Sequence, residues 1–254
     1  MRLVRASIRV QGFDQEHSHS DNTANIWSHL LGAFLFITLS AHFFVWSRLP
    51  HGLRFADGLA VAIYLFGVIV CFLLSTVYHT FSDHSPHMHK FGNELDHLGI
   101  VLVIWGTGIS GAHFGFYSEH AIRNSYFALL TGVAIGCAVF TLRPRFRRPS
   151  YRFIRFLMYA FLGASLFIPI AHGLFEWGWD ELDGRMGLES FFGLAIINFS
   201  GSALYASRIP ERWFPGRFDL LGQSHNWMHV LVLTGALVRL NGLVLVARRW
   251  QEQR

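Results

Sequence analysis

Charged side chains are scarce in this 254-residue chain: Asp, Glu, Lys and Arg make up 15% of it, where soluble domains carry roughly 25%. Together with a 52% hydrophobic share and twenty-five Phe, that deficit excludes an ordinary soluble domain and reads as an integral membrane protein. Cysteine is nearly absent. Cys71 and Cys137 both lie inside apolar runs, which excludes a disulfide framework and leaves two buried thiols. Lysine occurs once, as Lys90 in a connection between apolar runs, so no intrahelical lysine is available to carry a retinal Schiff base. No Asp-Arg-Tyr or Glu-Arg-Tyr triplet closes the third apolar run, which ends Phe114-Gly115-Phe116-Tyr117. The first twenty-five residues hold no continuous apolar core, so no cleaved signal peptide is expected. There is no convincing repeat, no low-complexity tract and no connection long enough for a separate soluble domain.

What the chain does contain is seven apolar segments, each of the roughly 17–25 residues that a bilayer-spanning helix needs. They run approximately Ile26–Trp46, Leu59–Tyr78, Leu98–Phe116, Tyr126–Leu142, Phe153–His172, Leu188–Tyr205 and Trp227–Val246. The expected architecture is an all-α seven-transmembrane-helix bundle over residues 26–247, with a short amino-terminal segment (1–25) and a short tail (248–254). Short connections rich in Pro, Gly and charge separate the segments, among them Arg48-Leu49-Pro50-His51-Gly52 and the second loop, which carries Pro86 with His84, His87 and His89. The latter reads as a solvated turn. Thirteen of the twenty-one Lys and Arg fall on the amino terminus and the second, fourth and sixth loops, most densely from Arg143 to Arg155. Helix-end Arg239 is counted with the remaining eight. The positive-inside rule then places the amino terminus in the cytoplasm and the carboxyl terminus on the opposite side. Membrane topology explains the basic surplus, and nucleic-acid binding does not.

His225 and His229 open the seventh segment four residues apart, on one helical face. Fifteen histidines would supply about one such pair by chance, so the pair alone is weak. Topology strengthens it. Helix 2 ends with Ser75-Thr76-Val77-Tyr78-His79, and helix 3 begins with Glu94-Leu95-Asp96-His97. The end of helix 2 and the starts of helices 3 and 7 lie at one membrane face, whichever way the bundle points. His79, Asp96, His225 and His229 therefore share a depth, with Ser75 one turn deeper. Three imidazoles with an open fourth position match a catalytic zinc site, and structural zinc more often has four protein ligands. Zinc brings the pKa of a bound water from about 15.7 to roughly 7. Asp96 fits a carboxylate that orients such a water or takes its proton, and Ser75 a hydrogen-bond donor to it or to an oxyanion. The competing reading is that these polar groups hydrogen-bond one another across helices. Asn25, Ser28 and His29 open helix 1 at the same face and line the site or cap the helix. His42, His113, His120 and His172 fall towards the other face as interfacial or packing residues.

The blocks Asn25-Ile26-Trp27-Ser28-His29-Leu30-Leu31-Gly32, Ser75-x-x-x-His79, Phe91 to Ile100, and Ile209 to Asp219 followed by Ser224-His225-x-x-x-His229 resemble the progestin and adipoQ receptor family. Adiponectin receptors and haemolysin-III-related proteins belong to that family. The last block is closest to the adiponectin-receptor-like branch, and the Phe91–Asp96 wording to fungal members. The resemblance implies a seven-helix bundle with its amino terminus inside and a zinc ion held by His79, His225 and His229, with Asp96 and Ser75 beside it. It further implies hydrolysis of a membrane lipid amide such as ceramide, releasing a free fatty acid, with roles in sphingolipid metabolism and zinc homeostasis. One position departs: the family usually has Glu three residues before the helix 1 Asn, and here that residue is Asn22, with Asp21 beside it. This puts a charge-dependent role of the helix 1 entry in doubt.

Two functions follow. One is a zinc-dependent, ceramidase-like hydrolase; the other is an adiponectin-receptor-like signalling receptor with a structural zinc. A transporter finds little support, because the polar residues gather at one face instead of tracking across the membrane. The host membrane is expected to be the plasma membrane or the endoplasmic reticulum. The sequence assigns neither a protein ligand nor an oligomeric state.

Overall fold

A computed structural model describes residues 2–46, 53–147, 151–218 and 221–253. The side chains of residues 2–21, 152, 153, 155 and 156 are not described. Arg48 to Gly52, Arg148 and Asp219, singled out above, lie outside the described residues, as do the side chains of Arg2, Arg5, Arg9 and Asp21.

Eight α-helices are seen among the described residues: α1 (Arg2–Ala41), α2 (Phe55–Phe81), α3 (Pro86–Gly115), α4 (His120–Leu142), α5 (Arg152–Ser165), α6 (Phe167–Met186), α7 (Leu188–Ser207) and α8 (Ser224–Glu252). A π-helical turn, His42–Trp46, prolongs α1. Among the described residues seven spans are long and apolar enough to cross a membrane, and α5 and α6 together supply the fifth, Leu157–Met186. That fifth span runs past the expected His172, and the non-helical Gly178 (φ 74°) kinks it before Met186. It is interrupted after Ser165, four residues before Pro169. The proline has no N–H to offer the Ser165 carbonyl and its ring crowds that oxygen, which breaks the helix there.

The stretch around Pro86 is not a solvated turn beyond its first residues. Ser85 caps α3 by accepting a hydrogen bond from the Met88 amide at 3.2 Å, and Pro86 is the first helical residue. Proline is well suited to that position because its missing N–H would have no partner in any case. His87, His89 and Lys90 thus ride on the first turns of α3.

Helices α2 and α3 pack with their backbones almost touching. On α3, Gly92, Gly99 and Gly106 recur every seven residues on the side facing α2. A β-carbon at Gly99 would lie 2.8 Å from Cys71 Cα, and one at Gly106 2.9 Å from the Ile63 carbonyl oxygen. From α2, one at Gly67 would meet the Leu102 carbonyl oxygen at 2.7 Å. Small residues let membrane helices approach this closely, and in lipid close packing is a main source of helix association. Gly99→Ala is expected to destabilise the bundle by about 1–3 kcal/mol, since neither backbone can yield. Urea titration of the detergent-solubilised protein measures this, and an unchanged midpoint would refute the seam.

The buried apolar centre lies between α1, α2 and α8, where Phe36, Tyr64, Phe72 and Leu243 are fully enclosed. A second apolar cluster joins α3 and α4 to α6 and α7 through Ala112, Leu130, Leu182, Met186 and Leu188. Cys71 and Cys137 are free and buried.

Buried polar groups are not confined to the end of the bundle that carries His79. At the other end Asp57 of α2 meets His113 of α3 at 2.8 Å, both enclosed. His113 is therefore half of a buried hydrogen-bonded couple, not a mere packing residue. Arg239 is not at a helix end: it lies fifteen residues into α8 and is fully buried. It can reside there because its Nη1 donates to the Met186 and Gly187 carbonyls and to Ser190 Oγ.

Candidate metal centre

The end of α2 and the start of α8 come together. Potential ligand atoms of His79, His225 and His229 all lie within 4.8 Å of one another. Their ring centroids form a near-equilateral triangle with sides of 5.1, 5.0 and 4.9 Å. His79 and His229 are buried, while His225 is half-buried and forms the open side of the triangle.

Hydrogen bonds fix the ring tautomers. Asn22 Oδ1 is only an acceptor, so at 3.0 Å from His79 Nδ1 it requires a proton on that nitrogen. His79 Nε2 is then left with a lone pair, and it is buried without a hydrogen-bond partner. Ser28 spends its one hydroxyl proton on the Asn25 carbonyl at 3.0 Å, so its oxygen can only accept from His229 Nδ1, 3.4 Å away. His229 likewise keeps Nε2 free to ligate. A buried imidazole nitrogen with a lone pair and no donor facing it is a costly arrangement unless a cation meets it. The donor set therefore fits a divalent metal, and three neutral imidazoles suit zinc.

Asn22 stands where the helix 1 carboxylate was missing from the sequence. Its amide nitrogen donates to Ser82 Oγ at 3.1 Å and to Asp83 Oδ2 at 3.2 Å. Asp83 orients the Asn22 amide, and the amide holds His79. Partners of this kind typically change metal affinity by 10–100-fold. Asn22→Ala is accordingly expected to weaken metal binding by roughly 10–100-fold, read by competition with a chelating dye. An unchanged affinity would remove Asn22 from the site.

The second anchor is Glu211, which the sequence reading did not single out. Its carboxylate accepts from the Ser224 amide at 2.9 Å and the Ser224 hydroxyl at 2.5 Å, so it caps α8 one residue ahead of His225. Partial burial works to raise its pKa, but the two Ser224 hydrogen bonds outweigh it and hold the carboxyl below its ordinary value. Asn226 ties the same turn to α1 by donating to Asn25 Oδ1 at 2.8 Å.

Asp96 is not among the residues whose ligand atoms converge. It is half-buried on α3 and interacts with the Ser75 hydroxyl and with His97. Ser75 Oγ is buried, and its approach to Asp96 falls short of good hydrogen-bond geometry, so the hydroxyl remains available to a third group. His29 stacks on His229 with ring centroids 3.7 Å apart and also leans on Phe72. It forms a wall of the site. His84, His87 and His89 stay outside the triangle, and His89 meets Tyr78 edge-on.

With this geometry in place, comparison with known proteins is informative. The sequence model of the haemolysin-III-related family matches residues 17–240. The "Adiponectin receptor protein" of Drosophila melanogaster is 34% identical over 221 residues, covering 87% of this chain and 49% of the relative. The human "Progestin and adipoQ receptor family member 3" is 34% identical over 225 residues, 84% of this chain and 70% of the relative. The "ADIPOR-like receptor IZH2" of Saccharomyces cerevisiae is 28% identical over 224 residues, 88% and 71% respectively. The chain spans about half the length of several curated relatives that it matches.

Proposed function

We propose, from the premise that this chain belongs to the haemolysin-III-related family, that it is a zinc-dependent hydrolase of lipid amides, ceramide-like in class. It is a multi-pass membrane protein, with seven spans and relatives of the same kind. The observation that carries the proposal is the buried, unpartnered Nε2 of His79 within the three-histidine triangle. Zinc bound there would supply Lewis-acid activation of a water and of an amide carbonyl. His79, His225 and His229 would hold it through neutral imidazole, and the half-buried side at His225 gives the substrate its approach. Asp96 accepts the proton of the attacking water on a carboxylate oxygen and delivers it to the amide nitrogen as the C–N bond breaks, releasing a fatty acid and a sphingoid base. The Ser75 hydroxyl donates to the oxyanion that develops on the carbonyl. On the positive-inside argument, this end of the bundle faces the cytoplasm.

The test is mass spectrometry of purified protein incubated with ceramides, with and without a strong chelator. Fatty acid is expected to appear and to vanish on chelation. Zinc retained without any chelator-sensitive product would overturn the hydrolase and favour the second reading, a signalling receptor with a structural zinc. That reading draws its support from relatives whose names are those of receptors.

A further inference from the structure

The guanidinium of Arg239 is fully buried in the bundle, ten residues and so about 15 Å along α8 from His229. A charge in such a place is costly unless it is compensated. Among the described residues no carboxylate lies within 4 Å of it. Its Nη1 is well used, donating to the Met186 carbonyl at 2.9 Å, the Gly187 carbonyl at 3.2 Å and Ser190 Oγ at 3.0 Å. The Met186 carbonyl closes α6, whose end carries partial negative charge, and the Gly187 carbonyl also accepts from the Phe191 amide at the start of α7. That contact accounts for a cation at this position, but not for an arginine. A lysine ammonium has three donors for those three oxygens.

What arginine adds is the other edge. Nε and Nη2 are both buried and without partners. Those two nitrogens present parallel N–H groups on one side of the planar guanidinium, the fork that receives both oxygens of a carboxylate. Gly111 of α3 leaves room beside that edge: a β-carbon there would stand 3.5 Å from Nη2. The Phe191 ring, 5.6 Å from Cζ, backs the guanidinium. A surface groove of about 500 Å³ between α7 and α8 is bordered by Gly187 and Ser190, the same residues that anchor Nη1.

We propose that Arg239 is the centre of a carboxylate-binding site in the half of the bundle remote from the histidines. The carboxylate accepts from Nε–H and Nη2–H together, and it supplies the negative charge that the protein itself does not place there. Its source is either an amphiphile entering from the bilayer or a small soluble acid; the headgroup chemistry is the same.

The experiment uses the full chain in detergent, stripped of metal by chelation so that the histidine site cannot bind the probe. Carboxyl-labelled ¹³C-octanoate and ¹³C-acetate are titrated and the carboxyl resonance is followed. Saturable octanoate binding is expected in the wild type. Arg239→Lys keeps the charge and the Nη1-type contacts but lacks the fork, and should weaken binding at least tenfold. Gly111→Ala crowds the Nη2 edge and leaves Arg239 itself in place, and should do the same. Binding of octanoate alone identifies a bilayer amphiphile, and equal binding of acetate a soluble acid. Absence of saturable binding in the wild type, or binding unaltered in both variants, overturns the site and leaves the edge to buried water. Circular dichroism and the ability to rebind zinc at the histidines report that each variant is folded. Because the probe is read on metal-stripped protein, failure here leaves the hydrolase reading untouched, and the converse holds.

Discussion

Replacing His229 by alanine is expected to lower zinc affinity by roughly 100- to 1,000-fold. A four-ligand structural zinc is bound by about 10–16 kcal/mol, so one ligand accounts for roughly 3–4 kcal/mol, and each 1.4 kcal/mol is a tenfold change. His229 is the informative member of the three because it is the most enclosed, at 1% exposure. Water cannot easily replace its Nε2, and the loss of affinity is not recovered. His225, half-buried on the open side, can be replaced in part by solvent, so its alanine variant should lose less. Zinc content after dialysis against a graded series of chelators gives both numbers. The ordering His229→Ala worse than His225→Ala is itself a result of the burial difference, and equal zinc content in wild type and His229→Ala would sink the metal centre. Loss of the 3.7 Å stack on His29 could loosen the helices independently, and the helical circular dichroism signal separates that effect from lost coordination.

Asp96→Asn is expected to reduce ceramide hydrolysis by about 10²- to 10⁴-fold while leaving zinc content unchanged, the span that general acid–base groups contribute. The substitution keeps size and hydrogen-bonding capacity and removes only the ability to take up a proton. The split between chemistry and metal follows from the placement of Asp96, which interacts with Ser75 and His97 and is not part of the converging ligand set. Turnover and zinc content must be measured on the same preparation. If zinc is lost together with activity, Asp96 belongs to the ligand set; if hydrolysis persists at the wild-type rate, Asp96 is not the base. Ser75→Ala, which removes one hydroxyl beside the carboxylate, should cost less than Asp96→Asn.

Part of this molecule was legible before any coordinates. Bilayer thickness converts hydropathy directly into span count, because an apolar run has few other stable destinations in a membrane protein. All seven spans follow from that rule. The meeting of His79 with His225 and His229 follows from parity: segments separated by complete crossings end at the same face, and i, i+4 spacing puts two of the rings on one helical side. Errors arose where local chemistry has two outcomes. Pro86 punctuates a loop or begins a helix, and only the cap from Ser85 decides between them. The fifth span continues past His172, and Gly178, with φ 74° and ψ −177°, breaks its helix before the polar turns that end at Met186.

The partners of the site residues were not legible. Asn22 put a charge-dependent role of the helix 1 entry in doubt, and it holds His79 across 57 residues of sequence, with Asp83 behind it. Glu211 caps the helix that carries two of the three histidines, and nothing in its local sequence says so. Arg239 was counted as a terminal charge and proved to be enclosed, as did the Asp57–His113 couple at the same end. The sequence alone determined the number of helices long and apolar enough to span a membrane and the end of the bundle at which His79, His225 and His229 meet, since both depend on distances measured along the chain. Only the tertiary structure decided which ring nitrogen faces inward, which carboxylate stands behind which imidazole, and where a buried charge goes unmet. Those are set by hydrogen bonds of about 3 Å between helices, and the order of residues along one helix carries no information about its rotation against the next.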